Sequence, residues 1–185
     1  MLIQHKGTQS IETVRLLLRR FCKEDAEDMF DNWAKDPEVC KYLLWGPHKD
    51  VEASRSRIIQ WVNQYEVGNS YVWAITLQVR NIAIGSISVE ISNDSSMSCE
   101  VGYCIGKAYW SRGIMTEALL AVLHYLFNDV GYQQIQAKHD TQNVASGRVM
   151  QKAGMHFAKY EYHVGLRRDG TFYDCAVYEK HISEE

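Results

Sequence analysis

The sequence predicts a mixed α/β (α+β) fold: one mostly antiparallel sheet of six to seven strands, about four flanking helices and a single parallel β-α-β crossover. Three observations carry this. β-Branched and aromatic runs recur with turn residues between them. Two long amphipathic helical patterns end on glycine. The longer of these begins at a glycine turn and separates two strand-like runs, as a parallel crossover does.

Val14 to Arg20 is rich in Leu and Val and reads as the first strand. Glu24 to Tyr42 reads as one or two short helices, with Pro37 as the break. Asp50 caps a helix from about Val51 to Val67, in which Ile58, Trp61, Val62 and Tyr65 share one face and Gly68-Asn69 stops the run. Tyr71 to Val79 and Ile82 to Ile91 are strand runs, with Arg80-Asn81 predicting a tight hairpin between them. Cys99 to Ile105 is the fourth strand. A helix follows from Ile114 to Val130, with a buried stripe of Met115, Leu119, Val122, Leu123, Leu126 and Val130. Ile135 to His139 is the fifth strand, and Val144 to Lys152 is a shorter helix ended by Gly154. Phe157 to Val164 and Phe172 to His181 form a last hairpin around Arg168-Asp169-Gly170.

The 185 residues suit a single domain, 1–185, with a substantial core. A net charge of -3 gives no reason to expect a nucleic-acid partner. No apolar run approaches the ~20 residues that span a bilayer, and Met1 to Ser10 lacks a signal-peptide pattern. Cys22, Cys40, Cys99, Cys104 and Cys175 are odd in number and lack Cys-x-x-Cys spacing. They are expected to be reduced thiols of a cytoplasmic protein, and no metal site is expected.

The segment Tyr109 to Ala118 is the most informative. The first N–H groups of a helix have no intrahelical partner, and the helix dipole makes that end partially positive. A glycine turn opening a helix is therefore a place for a diphosphate. A nucleotide P-loop is disfavoured, because no Gly-Lys-Ser/Thr occurs.

The order of elements, with Arg112-Gly113-Ile114-Met115-Thr116 between the fourth strand and the long helix, resembles the GNAT acetyltransferase superfamily. Within it the chain looks most like the ribosomal-protein N-acetyltransferase (RimJ/RimL-type) branch. Four further stretches carry the resemblance: Thr13 to Arg19, Val101 to Ile105, Asn143 to Ser146 with Gln151 to Met155, and Gly170 to Asp174. Together they span Thr13 to His181. The superfamily signature Gln/Arg-x-x-Gly-x-Gly/Ala is altered here, with Trp110 first and Met115 last. The loop is thus expected to bind through backbone N–H groups more than through the side chain at 110.

The resemblance implies acetyl-CoA as cosubstrate and no metal. Backbone N–H groups of Ser111, Arg112, Gly113, Ile114, Met115 and Thr116 would cradle its diphosphate, with Arg112 adding charge and Thr116 a hydroxyl. Gly113 would let the backbone approach closely. The fourth and fifth strands would splay, and Tyr103, Cys104 and Ile105 would run beside the pantetheine arm. Asn143 would bond that arm or a site water. Ser146 would protonate the departing thiolate, although Asn or Ser at a helix start is ordinarily a cap. A general base is required. The candidates are Glu90, Glu100, His139, Glu161 and Asp174, with Glu100 foremost. Cys104 has no His/Asn partner set and is expected to be a buried small side chain.

In this fold the early helices and the last hairpin wall the acceptor site. They hold Trp33, Tyr42, Trp45, Trp61, Tyr160, Tyr162 and Tyr173, most of them expected in the core, and the acids Asp25, Glu27, Asp28, Asp31 and Asp36, which could attract a basic tail or, as is usual, form a solvated helix face. The leading expectation is acetylation of a protein N-terminal α-amine by a monomer or homodimer. A small amine as acceptor and a non-catalytic acyl-CoA-binding module are the alternatives.

Overall fold

A computed structural model describes residues 3–167 and 170–184. One sheet of eight strands runs in the order β1-β2-β3-β4-β5-β6-β8-β7. The strands are β1 (Ile11–Glu12), β2 (Leu16–Arg19), β3 (Val72–Leu77), β4 (Ala83–Asn93), β5 (Ser98–Ile105), β6 (Gln134–Asp140), β7 (His156–Leu166) and β8 (Phe172–His181). The helices are α1 (Asp25–Met29), α2 (Val51–Gln64), α3 (Ile114–Tyr125) and α4 (Val144–Lys152). The two-residue β1 accounts for the strand beyond the expected seven.

The predicted caps and breaks recur as geometry. Asp50 accepts the Ala53 N–H at 3.0 Å and starts α2. The first helical region continues from α1 through wide turns at Phe30–Ala34, breaks at Pro37 and resumes as a short 3-10 turn, Val39–Tyr42. The β3–β4 connection differs from the tight hairpin expected at Arg80-Asn81. It is a wider loop in which the N–H groups of Arg80 and Asn81 both reach the Leu77 carbonyl. Of the last hairpin's expected turn, Arg168 and Asp169 lie outside the described residues. The Arg167 N–H bonds the Thr171 carbonyl at 2.8 Å across it.

Period-2 alternation divides the sheet into two packed faces. Tyr71, Trp73 and Ile75 pack with α3 and Met150 of α4, while Val72 and Ala74 pack with Phe21, Met29, Trp33 and Ile58 under α1 and α2. All six residues of the expected α3 stripe are buried. Each full burial of such a side chain is worth ~1.5–3 kcal/mol relative to exposure.

Among the described residues only one pair of neighbouring strands is parallel. β5 meets β6 at Ser98↔Gln134, Cys99↔Ile135 and Glu100↔Gln136, and no further. Beyond Glu100, β5 remains paired to β4 as far as Ile105, while β6 follows β8 to Asp140. The two strands therefore part after three rungs. They are the fourth and fifth strands of the sequence reading, and the expected splay is present. Among the described residues no helix is long and apolar enough to cross a membrane.

Candidate active site

The open end of the splay leads into the glycine turn. Trp110 donates its indole Nε1–H to the Ile105 carbonyl at 2.9 Å, tying the loop back to the end of β5. The indole N–H is thus engaged by the protein, while the ring is exposed. Ser111 has φ 59° and Gly113 φ 71°, while Arg112 between them is not in the positive-φ region. Such alternation curls successive N–H groups towards one side. Gly113 is the N-cap residue of α3, and the first intrahelical bond runs from Glu117 N to Gly113 O at 3.0 Å. Ile114, Met115 and Thr116 therefore present N–H groups without intrahelical acceptors. A Cβ on Gly113 would meet only Arg15 Nη2, at 3.6 Å, so the space above the glycine is open.

Two residues of this loop's support were not singled out in the sequence. Glu117 accepts from Thr13 Oγ1 at 2.6 Å, Arg15 N at 3.0 Å and Arg15 Nε at 2.6 Å. Arg15 Nη1 in turn donates to the Arg112 carbonyl at 2.9 Å. Desolvation raises the Glu117 pKa, but the bonds from Thr13 and Arg15 outweigh it and hold the carboxyl below its ordinary value. Arg15 thus orients the loop and places a guanidinium beside it. The signal was present in Thr13 to Arg19, where Arg15 read only as part of a strand. An open groove of about 610 Å³ starts at Gly113 and Thr116 and follows the outer face of α3 to His124, with Lys152 on its border.

On the α3–α4 side of the splay, Tyr103 reaches from β5 to α4. Its phenol donates to the Ser146 carbonyl at 3.0 Å, and the Ser146 hydroxyl donates to the phenol at 3.0 Å. Burial pushes the Tyr103 phenol well above its ordinary pKa. Asn143 caps α4 by accepting from Ser146 N at 3.4 Å, which leaves its amide NH₂ available. Cys104 lies on the opposite face of β5 beside Ser86. Burial raises its thiol to about 11, so it is a poor nucleophile.

The candidate bases stand in different surroundings. Glu100 is paired with Lys138 at 3.1 Å. Burial works to lower the Lys138 pKa, but the bond to Glu100 raises it overall. His139 is packed under α4, where its Nε2 lies 2.5 Å from where a Cβ on Gly147 would stand. Glu161 is held below its ordinary value by Lys159. Asp174 accepts the His163 N–H at 2.8 Å and shapes the last hairpin. Glu90 is exposed on β4 and takes only the hydroxyl of Ser88.

Few of the aromatics on the acceptor side line open space. A cavity of about 90 Å³ lies between residues 41–44 and the last hairpin, with Tyr42 and Tyr173 on its walls. Arg167 clamps Asp140 there in a buried pair, with Nη2–Oδ2 at 2.8 Å and Nε–Oδ2 at 3.0 Å. Trp33 is fully buried core, Trp61 packs on Phe21, and Trp45 packs on His48. Tyr160 and Tyr162 are exposed on β7. The acidic cluster is not a free patch. Asp25 pairs with Arg19, Glu27 with Arg55 and Asp31 with Lys35. Asp28 and Asp36 accept the backbone N–H groups of Ala83 and Glu38. Local pairing and turn capping thus engage the charge that could attract a basic tail. Among the described residues no group of three His, Cys, Asp or Glu could hold a metal ion.

Comparison with known proteins agrees with this geometry. The acetyltransferase (GNAT) domain model matches residues 15–156. The uncharacterized N-acetyltransferase YoaA of Bacillus subtilis (strain 168) is 30% identical over 172 residues, covering 91% of this chain and 94% of YoaA. The [ribosomal protein uS5]-alanine N-acetyltransferase of Escherichia coli (strain K12) is 23% identical over 78% of this chain and 76% of its own. The crystal structure of the microcin C7 self immunity acetyltransferase MccE, in complex with acetyl-CoA and AMP, superposes with a TM-score of 0.81. It covers 91% of this chain and 93% of that one at 19% identity, so it speaks for the fold. With the splayed strands, the glycine loop and the family match in agreement, this chain belongs to the GNAT family of acetyltransferases.

Proposed function

We propose that this chain transfers the acetyl group of acetyl-CoA to a primary amine, a protein N-terminal α-amine of the ribosomal-protein (RimJ/RimL) kind, by direct attack in a ternary complex. The observation that carries the acetyl-CoA part is the parting of β5 from β6 directly before the glycine loop. Among the described residues, one edge of β5 from Val101 to Ile105 faces no neighbouring strand. Its polar groups require partners, and the amides of a pantetheine arm supply them. The backbone of Ser111 to Thr116 would hold the diphosphate, with Arg112 and Arg15 adding charge. Tyr103, Cys104 and Ile105 would flank the arm, and the free amide of Asn143 would bond it.

The bound thioester supplies an activated acyl carbon. The chain's own residues align the amine, remove its proton and protonate the leaving sulfur. Ser146 is the proton donor in this reading, with Tyr103 fixing its hydroxyl. The α-amine preference is supported by likeness to the uS5-alanine enzyme across most of both chains. An α-amine has a reference pKa of ~8, so a carboxylate suffices as base.

The test is calorimetry with acetyl-CoA, free coenzyme A and ATP, followed by an acceptor screen. Acetyl-CoA should bind, ATP should not, and Gly113→Trp should abolish binding while the circular dichroism spectrum is retained. Unchanged affinity in that variant would remove the diphosphate from the loop. Transfer to a peptide with a free N-terminal alanine, but not to spermidine, is the expected outcome. The reverse preference would move the acceptor to small amines. Binding without transfer to either would favour a non-catalytic acyl-CoA module.

A further inference from the structure

We propose that Glu90, not Glu100, is the carboxylate that accepts the amine proton. The inference rests on the acetyl-transfer reading above.

Glu90 is the extra residue of a β-bulge. Val89 faces Val101 and Ile91 faces Glu100, so two steps on β4 oppose one on β5. Bulges bend a strand and redirect a side chain, and they cluster beside active sites. Here the redirected carboxylate folds over Gly102 on the splayed segment of β5. A Cβ at Gly102 would stand 3.0 Å from Glu90 Cγ and 3.2 Å from Oε1. The glycine therefore makes the room that the carboxylate occupies. Tyr103, the next residue, points the other way, to Ser146. Proton acceptor and proton donor thus flank adjacent residues of β5 from opposite faces. The free edge of β5 runs from Ile105 past Tyr103 and Gly102 towards Glu100, so an acyl-CoA arm held on that edge would pass between these two groups.

Glu100 is less suited to the task. Lys138 holds it at 3.1 Å, so the carboxylate is already engaged by a neighbouring side chain. Glu90 takes only the Ser88 hydroxyl and is exposed, so an incoming amine or a bridging water can reach it. The charged and titratable groups on neighbouring elements are Cys104, Glu100, Cys99 and Tyr103 on β5, the last turned to the opposite face, and Lys138 on β6. β3 offers none, and Asp28 of α1 is engaged with the Ala83 N–H where β4 begins.

In this step a neutral amine nitrogen forms the C–N bond and gives one proton to Glu90. The C–S bond breaks, and the sulfur takes a proton from Ser146. Solvent reprotonates Ser146 and receives the proton from Glu90. The balance is amine plus thioester to amide plus thiol.

The test compares wild type, Glu90→Gln, Glu90→Asp and Glu100→Gln. The probe is a peptide with a free N-terminal alanine, read as kcat/KM against pH, with acetyl-CoA affinity measured by calorimetry on each protein. Glu90→Gln should lower kcat by ~10²-fold or more and abolish the acid limb, with acetyl-CoA affinity unchanged. Glu90→Asp should recover part of the rate and the limb. Glu90→Gln with wild-type kcat, or loss of the limb in Glu100→Gln instead, would overturn the assignment while leaving the enzyme reading intact. Wild type that binds acetyl-CoA yet acetylates neither this peptide nor spermidine would overturn both.

Discussion

Removing the Glu117 carboxylate should weaken both the fold and the cofactor loop, in calculable proportion. Glu117 accepts two hydrogen bonds from neutral donors, Thr13 Oγ1 and Arg15 N, and one from the Arg15 guanidinium. The neutral bonds are worth ~1 kcal/mol each. The Arg15 and Glu117 side chains are 46% and 20% exposed, so water screens their ion pair to below ~1 kcal/mol. Glu117→Ala should therefore cost about 2–3 kcal/mol, a urea midpoint lower by about 1 M. Freed Arg15 no longer fixes the Arg112 carbonyl. Re-ordering one backbone unit on binding costs ~1 kcal/mol, about fivefold in acetyl-CoA affinity. The pH dependence follows from the depressed pKa. The contribution is full at neutral pH, above the ordinary carboxylate value, and disappears as pH falls through the lower folded value. The stability gap between wild type and variant should narrow in acid by the ionic part. Urea unfolding and calorimetry measure the two effects. A lowered midpoint with unchanged affinity would refute the link from Glu117 through Arg15 to the loop. A gap of unchanged size in acid would refute the ionic part of the account.

Two further substitutions test the catalytic and acceptor sides. Ser146→Ala removes the hydroxyl bonded to Tyr103 and should lower kcat by ~10²-fold with little change in KM; equal turnover in steady-state kinetics would take Ser146 out of the chemistry. Arg167→Ala leaves Asp140, with a side chain only 4% exposed, without its cation, and chemical denaturation should show a loss of ~3–5 kcal/mol. Stability unchanged in that variant would mean the clamp is dispensable.

The elements that were legible in the sequence are those fixed locally. Asp50 caps, Pro37 breaks, and the stripe from Met115 to Val130 faces the core because spacing along one helix determines each outcome. The glycine loop was legible for the same reason, since an N-cap with positive φ is a local demand that Gly113 meets. What escaped the sequence depends on distant chain segments meeting. The bonds from Arg15 to Glu117 span 102 residues, and those from Tyr103 to Ser146 span 43. The acidic residues of α1 left open whether they formed a solvated face or drew a basic tail, because their partners Arg19 and Arg55 come from other elements. The pairing of Glu100 with Lys138 joins two strands whose register is set only by the sheet.

Two glycines show how function enters through backbone approach. In a strand or a helix interior, glycine reads as a weakness of ~1 kcal/mol relative to alanine. Gly147 lies within α4, and a Cβ there would stand 2.5 Å from His139 Nε2, so its absence lets α4 settle onto β6. That seating carries Ser146 to the Tyr103 phenol. Gly102 lies within β5 and admits the Glu90 side chain on the other face. The proposed proton donor and acceptor each owe their position to a missing methyl group, that of Gly147 beside Ser146 in α4 and that of Gly102 on the strand next to Glu90. The same two glycines cost local stability and bring the two groups to opposite faces of one strand. The active-site arrangement therefore follows from contacts between elements, which no single motif encodes.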